Sequence, residues 1–342
     1  MKRLGNIWEE ITSMENIRLA YKNAKSNKNG GANPKKKQEI LKVEQDLENN
    51  LLKIQQMLLS GNYRTQPYSY FEIKDRGKTR QVAKLPFYPD RIIHWAIIQP
   101  CEKRFLSSLI DQTYAALPDR GTHKALYKTK QYASKRNAKY CLKIDIKKYF
   151  ESISKDKLMG ILSRLIKDKK VLELFHTIIY DYPGSGLPIG NYTSQYLANL
   201  YLSPIDHYMK EIYHCKYYVR YMDDIVIMGW SKGWLKRALS KLRELTTGLS
   251  LTIKSNWQIF PTWVRGLDFV GYKIFYDHVL LRQSTKKRMK RCCKRIEFKL
   301  KNGSEVDSHI LGCLSAYNGV LMHCNAKHLF KHTLYKVYRM IL

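Results

Sequence analysis

Two adjacent carboxylates, Asp223 and Asp224, stand between the apolar runs YYVRY and DIVIMGW, and no other stretch of the chain constrains its fold as tightly. The pattern predicts two strands that reverse in a tight hairpin about Met222-Asp223. Like charges side by side raise each other's proton affinity unless a cation compensates. Asp145 ends another apolar strand, KYCLKIDI, in which Tyr140, Leu142, Ile144 and Ile146 point one way and Cys141, Lys143 and Asp145 the other. If these strands are neighbours, three carboxylates converge on one sheet edge. Hard oxygen donors of that kind suit Mg2+. An Asp pair at a turn is equally an ordinary solvated hairpin tip, since Asp is a common turn residue.

The rest of the chain supplies the context. SNKNGGANPKKK (26–37) is a polar break with Pro34 placed to open a helix. Ile40, Val43, Leu47, Leu51, Ile54 and Leu58 recur at helical spacing and predict one amphipathic helix, stopped by Gly61. Residues 68–86 predict a hairpin with a basic tip, Asp75-Arg76-Gly77-Lys78, followed by helical chain from about 90 to 108. Further helices are predicted over 155–179, over 194 to about 210 with Pro204 kinking or restarting the rise, and over 232–248. Segments 249–260 and 267–276 predict a strand pair, and a cationic helical tail follows. This order predicts an α+β sheet domain with helices on one face. Neither GxxxxGK[ST] nor GxGxxG occurs, so those phosphate cradles are not encoded.

Charge narrows the partner class. The chain of 342 residues has 61 Lys+Arg against 29 Asp+Glu, a net charge of +32, while 44% of residues are hydrophobic. The apolar fraction excludes wholesale disorder, and the cationic surplus favours nucleic acid, with an anionic membrane surface second. It disfavours an enzyme of small-molecule metabolism. Seven scattered cysteines, two of them adjacent, form no disulfide framework, and no signal-like or membrane-spanning run is present, so reduced thiols and a cytoplasmic location are expected. His309, Cys313, His323, Cys324, His328 and His332 lack the spacing of a structural zinc site, and no metal is assigned there.

Several blocks, in order, carry a resemblance. KIDIKKYFESIS, GLPIGNYTSQYLANLYLSPID, YVRYMDDIVIM, GLSLTIKSN and LDFVGYKIF resemble the palm motifs of reverse transcriptases. Upstream, IKDRGKTRQVAKLPFYPDRIIHWAI resembles the fingers motif, and YAALPDRGTHKAL the motif between fingers and palm. The similarity runs over roughly residues 63 to 276 and implies a right-hand polymerase fold. It implies an N-terminal helical extension (1–62), fingers with part of the palm (63–138), a palm with the catalytic Asp residues (139–276) and a basic helical thumb (277–342). In the fourth block most reverse transcriptases carry Gln-Gly followed by Ser-Pro; here Ile189 precedes Gly190 and Ser194-Gln195 closes the block. That resembles the reverse transcriptases of diversity-generating retroelements, as does the short length. The subfamily implies error-prone copying of a template RNA into cDNA, with misincorporation at adenines (mutagenic retrohoming), and a small basic oligomeric accessory protein as partner.

The resemblance also implies roles for matching positions. Asp145 and Asp223 become Mg2+ ligands, with the Ile146 carbonyl as a further donor and Asp224 a weaker candidate; two ions are implied, with Mn2+ able to substitute. Lys74 and Arg80 would grip the triphosphate of an incoming dNTP, a contact for which Arg is suited. Phe150 would pack under the sugar and leave no room for a 2′-hydroxyl, and Lys254 would sit near the triphosphate. Ile189 can only fill volume where a Gln can hydrogen-bond, and apolar contacts discriminate poorly among similar shapes. In the tail, Arg282, Lys286, Lys287, Lys290, Arg291 and Lys294 share a helix with an apolar stripe of Met289, Cys292, Cys293, Ile296 and Leu300, capped by Ser284, which suits a duplex of template and primer. No membrane partner is implied. Other readings are a retron, antiphage or intron-derived reverse transcriptase, and a non-catalytic RNA-binding scaffold on the same fold.

Overall fold

Period-two patterning is realised in nine strands among the residues that the computed structural model describes, 3–26, 34–75, 78–303 and 305–341. They are β1 (Ser69–Asp75), β2 (Lys78–Lys84), β3 (Tyr140–Asp145), β4 (Tyr217–Tyr221), β5 (Asp224–Gly229), β6 (Gln258–Pro261), β7 (Leu267–Phe269), β8 (Tyr272–Ile274) and β9 (Val279–Leu281). The chain divides into two compact units that interleave along the sequence. One comprises Met1–Asp111, Ile146–His214 and Leu242–Lys254; the other comprises Gln112–Asp145, Cys215–Lys241 and Ser255–Leu342.

The first unit is mainly helical. Its core includes Ile11, Ile17, Leu51, Ile54, Ile92, Ile97, Phe105 and Phe175, all under 1% exposed. Two expected long helices are each broken in two. Instead of one helix from Ile40 to Leu58 there are Pro34–Glu44 and Leu47–Leu59, and at the break the Asn50 side chain donates to the Val43 carbonyl at 3.2 Å. The expected 155–179 helix becomes Lys155–Leu165 and Lys169–Tyr180. There the N-terminal segment intrudes: the Leu4 amide donates to the Leu165 carbonyl and the Lys167 amide to the Leu4 carbonyl, each at 2.7 Å. The Asp168 carboxylate then accepts the Ile7 and Trp8 amides at 3.2 Å. The β1–β2 hairpin is present with Asp75 opposite Lys78, and its expected tip residues Arg76 and Gly77 lie outside the described residues, as do residues 27–33 of the polar break.

His94 is enclosed in this core. Its Nδ1 lies 3.1 Å from Thr193 Oγ1, and burial, aided by the Arg91 charge, pushes its imidazole down from 6.5 to about 3. The folded chain therefore keeps His94 neutral while the unfolded chain takes up a proton below 6.5, so this share of stability is present above 6.5 and is lost as pH falls. Unfolding free energy measured by urea titration is expected to drop by about 1.4 kcal/mol per pH unit from this group below that point. A His94→Gln variant is expected to lose that part of the slope.

In the second unit, β3–β6 form a four-stranded antiparallel sheet in the order β4-β5-β3-β6, and β7-β8-β9 form a three-stranded antiparallel sheet. The expected pairing of 249–260 with 267–276 is not what forms. Only Gln258–Pro261 of the first segment is a named strand, and it joins the free edge of β3 with Cys141 opposite Phe260, while 267–281 folds back on itself. One face of the larger sheet carries Cys141, Val219, Val226, Met228 and Phe260 into a core shared with Phe269, Met289, Cys293, Ile296, Leu314 and Leu334. The helix Gln283–Lys301 begins one residue before Ser284, so its N-cap is Arg282 rather than the expected serine, and no side chain caps it. The fold is thus α+β with antiparallel sheets, as the sequence predicts. Among the described residues no helix is long and apolar enough to cross a membrane, and all seven cysteines are free.

Candidate active site

The register of β3 and β5 decides where the carboxylates lie. Asp145, the last residue of β3, is the direct partner of Asp224, the first residue of β5. Opposite residues of an antiparallel pair share a face, so Asp145 and Asp224 stand together at one end of the sheet, with Lys143 and Val226 next along it. Asp223 precedes them in the hairpin turn, where Met222 has φ 56. The expected tight hairpin about Met222-Asp223 is therefore formed. Asp145, Asp223 and Asp224 are all half-buried.

The turn is held from behind. Arg220, the penultimate residue of β4, is fully buried, and its Nη1 donates to the Met222 carbonyl at 3.0 Å while Nη2 lies 3.5 Å from Thr113 Oγ1. Its main chain is also gripped: the Arg220 amide donates to the Gln112 carbonyl at 2.9 Å, and the Tyr114 amide to the Arg220 carbonyl at 3.1 Å. Tyr221 is fixed by a hydroxyl contact with Thr122 Oγ1 at 3.2 Å and by edge-on packing against Phe269. Neither Arg220 nor Lys143 was singled out by the sequence patterns, although an arginine inside the apolar run YYVRY is the kind of interruption that marks a buried polar contact.

In front of the carboxylates opens a cavity of about 630 Å³, whose walls include Lys143, Asp145, Asp224, Arg265, Lys273 and Arg282. With Asp268 also in the wall, four cations face three carboxylates, a mixed lining that suits a polyanion held together with a divalent ion. The carboxylate oxygens of Asp145 and Asp224 are donors of the type Mg2+ takes, since that ion commonly uses one or two carboxylates and leaves its other positions to water and substrate phosphate. Among the described residues no three His, Cys, Asp or Glu side chains gather into a group that could hold a metal ion, so of the three carboxylates expected to converge the register pairs Asp145 and Asp224, with Asp223 in the adjoining turn. The residues present fit an ion completed by substrate oxygens.

Of the other candidate residues, Lys74, Arg80, Ile146, Phe150, Ile189 and Lys254 lie in the first unit and the helix-borne cations from Arg282 onward in the second. Ile146 bridges Ile253, and the Lys147 amide donates to the Thr252 carbonyl at 2.8 Å, so the chain after Asp145 runs beside the segment that bears Lys254. Phe150 is half-buried in the short helix Tyr149–Ser152, and its carbonyl accepts the Leu187 amide at 2.8 Å. A Cβ on Gly186 would lie 2.1 Å from that same carbonyl oxygen, so only glycine permits the approach. The Ile189 carbonyl accepts the Ala83 amide at 2.9 Å, and Gly190, at φ +126, has no room for a Cβ against the Ala83 oxygen. The fourth-block loop is thereby stitched to β2, the strand on which Arg80 is exposed opposite Ile73. Lys74 pairs with Thr79 across the hairpin, and its side chain lies outside the described residues. On the helix Gln283–Lys301, Lys287, Lys290, Arg291 and Lys294 are exposed and Lys286 is half-buried, while Arg282 is engaged by the Asp268 carboxylate.

Residues 73–274 match the family model described as reverse transcriptase (RNA-dependent DNA polymerase). The chain belongs to the reverse transcriptase family. Among curated proteins, this reverse transcriptase is 30% identical over 206 residues to the group II intron-encoded protein LtrA of Lactococcus lactis subsp. cremoris, a match covering 57% of the chain and 33% of LtrA. It is 24% identical over 242 residues to the protein YkfC of Escherichia coli strain K12, covering 67% of the chain and 58% of YkfC. The chain thus spans a third of LtrA and somewhat more than half of YkfC in these matches. Among solved structures, apo telomerase from Candida tropicalis superposes with a TM-score of 0.53 at 12% identity, covering 70% of this chain and 52% of that one. Telomerase from Candida albicans in complex with a TWJ fragment of telomeric RNA gives 0.51 at 12% identity, covering 82% and 61%. At such identities the likeness is one of fold, and that fold is the right-hand polymerase fold. The carboxylate edge, the Ile189 loop and the β1–β2 hairpin strand from Ile73 onward all fall inside the family match.

Proposed function

We propose that this reverse transcriptase copies a template RNA into cDNA at the edge formed by Asp145, Asp223 and Asp224. The observation that carries the reading is the direct pairing of Asp145 with Asp224 on adjacent strands beside a cavity lined by both carboxylates and cations. Two Mg2+ ions, when bound there with substrate, would supply charge neutralisation for the attacking hydroxyl and the departing pyrophosphate. Asp145 and Asp223, with the Ile146 carbonyl, would hold them, and Asp224 would contribute a third carboxylate. Lys74, Arg80 and Lys254 would bind the triphosphate of a dNTP, with the Phe150 ring set to exclude a ribose 2′-hydroxyl. Lys286, Lys287, Lys290, Arg291 and Lys294 would follow the phosphates of the template–primer duplex from the thumb, with an affinity that falls steeply with salt.

Within that activity, Ile189 and the Ser194-Gln195 close of its block favour a diversity-generating retroelement, with a small basic oligomeric protein as its partner. The similarity to LtrA, described as a group II intron-encoded protein, favours instead an intron-related enzyme. Product sequencing separates the two. Wild type extending a primer on RNA is expected to leave substitutions concentrated opposite template adenines, and Ile189→Gln is expected to lower their frequency about tenfold, the scale of one net hydrogen bond of about 1.4 kcal/mol. An error spectrum that is low and even across template bases in both proteins contradicts the retroelement reading and leaves the intron-related one.

A further inference from the structure

We propose that Lys143 is a positioning residue that couples the carboxylate edge to the base of the helix Gln283–Lys301. Resting on the reading of that edge as a metal-binding edge, the proposal assigns Lys143 the part of an internal countercation. Lys143 lies two residues before Asp145 on β3, so it shares the face that carries Asp145 and Asp224. Its Nζ is 3.9 Å from Asp224 Oδ1 and donates to the Asp268 carbonyl at 2.8 Å. Asp268 is in β7, and its carboxylate binds the guanidinium of Arg282. Arg282 is the N-cap of the helix: its carbonyl accepts the Lys286 amide at 3.0 Å, and its own amide donates to the Gly271 carbonyl at 3.1 Å. Contacts therefore run from Asp224 through Lys143 to the main chain of Asp268, whose carboxylate holds Arg282, and all four residues line the same cavity.

The physics of this chain of contacts gives it a direction. Without a metal ion, adjacent carboxylates repel, and an ammonium at 3.9 Å offsets part of that cost. The Lys143 and Asp224 side chains are 27% and 34% exposed, so their attraction is screened but not abolished. A divalent cation at the edge competes with Lys143 for Asp224. The displaced ammonium then bears more on the Asp268 carbonyl, next to the carboxylate that holds Arg282 and the first helical turn. Metal arrival at the edge is in this way felt at the start of a helix that carries Lys287, Lys290, Arg291 and Lys294.

The test uses the full chain without nucleotide or nucleic acid and Mn2+ as the probe, with bound and free ion counted by electron paramagnetic resonance. Removing the competing cation in Lys143→Met is expected to tighten Mn2+ binding by about three- to fivefold, the scale of a partly exposed ion pair, while Lys143→Arg stays near wild type. In an Asp224→Asn background Lys143→Met is expected to bring no gain. Hydrogen exchange of the amides of 284–287 is expected to respond to Mn2+ in wild type and not in Lys143→Met. Arg282→Gln leaves the Lys143–Asp224 pair in place, so it is expected to keep wild-type Mn2+ affinity but lose the exchange response; it serves as the second variant if Lys143→Met fails to fold. Equal Mn2+ affinity in wild type and Lys143→Met, or a gain that persists with Asp224→Asn, overturns the coupling alone. A wild type that binds no Mn2+ overturns both the coupling and the reading of the edge on which it rests.

Discussion

Replacing Arg220 by Met is expected to lower unfolding free energy by about 2–4 kcal/mol and to cut primer extension on RNA at least about tenfold at temperatures where the variant is still folded. The side chain is fully buried inside β4, and its guanidinium donates to the Met222 carbonyl at 3.0 Å. Met222 is at φ 56, in the left-handed region that a non-glycine residue occupies only when its surroundings hold it there. Methionine fills much of the volume but leaves the Met222 carbonyl without that donor, and a partly buried acceptor stripped of its partner loses its desolvation compensation. The turn that presents Asp223 is then free to relax. Lys at 220 should recover part of the stability but little of the activity, because a single ammonium cannot reproduce the planar two-nitrogen reach to Met222 and Thr113. Urea denaturation and steady-state extension, measured on the same preparations, check both numbers; wild-type stability together with wild-type activity in Arg220→Met contradicts the bracing role.

That arginine also shows where sequence reading stops. The strands around Asp145 and Asp223-Asp224 were legible because period-two alternation is a local signal, and so was the hairpin that ends in Asp75 and Lys78. The Asp145–Asp224 pairing follows once β3 and β5 are known to be neighbours, but neighbourhood itself is non-local. The same limit hid the attachment of Gln258–Pro261 to β3, since a strand can satisfy its hydrogen bonds on any free edge. Helical periodicity ran straight through Gln45-Asp46 and through Ile166–Asp168, because nothing in those windows announces that Asn50 takes the Val43 carbonyl or that Leu4 arrives to bridge Ile166. Lys143 read as one more cation on a +32 chain, and only its distances to Asp224 and Asp268 give it a role. The serine at 284 looked like a helix cap by type, whereas the actual N-cap is Arg282, two residues earlier, held by its ion pair with Asp268.

The largest expected effect belongs to the carboxylates themselves. Asn keeps the shape of Asp and removes its charge, so Asp145→Asn and Asp223→Asn should fold as wild type does while losing the capacity to hold a divalent ion with substrate. Loss of supporting groups around a metal typically costs ten- to a hundredfold, and loss of a direct electrostatic stabiliser about 10²–10³-fold, so each single variant is expected to fall by at least about 10²-fold. Because the two residues would act as one unit, the double variant should be little worse than either single one. Asp224→Asn should fall less, in keeping with its engagement by Lys143. The decisive measurement is single-turnover incorporation of one dNTP on an RNA template with Mg2+, comparing wild type, Asp145→Asn and Asp223→Asn after circular dichroism has shown all three folded. Incorporation by wild type with at least a hundredfold loss in both variants is the predicted result; equal rates in the three proteins contradict the assignment of polymerase chemistry to this edge.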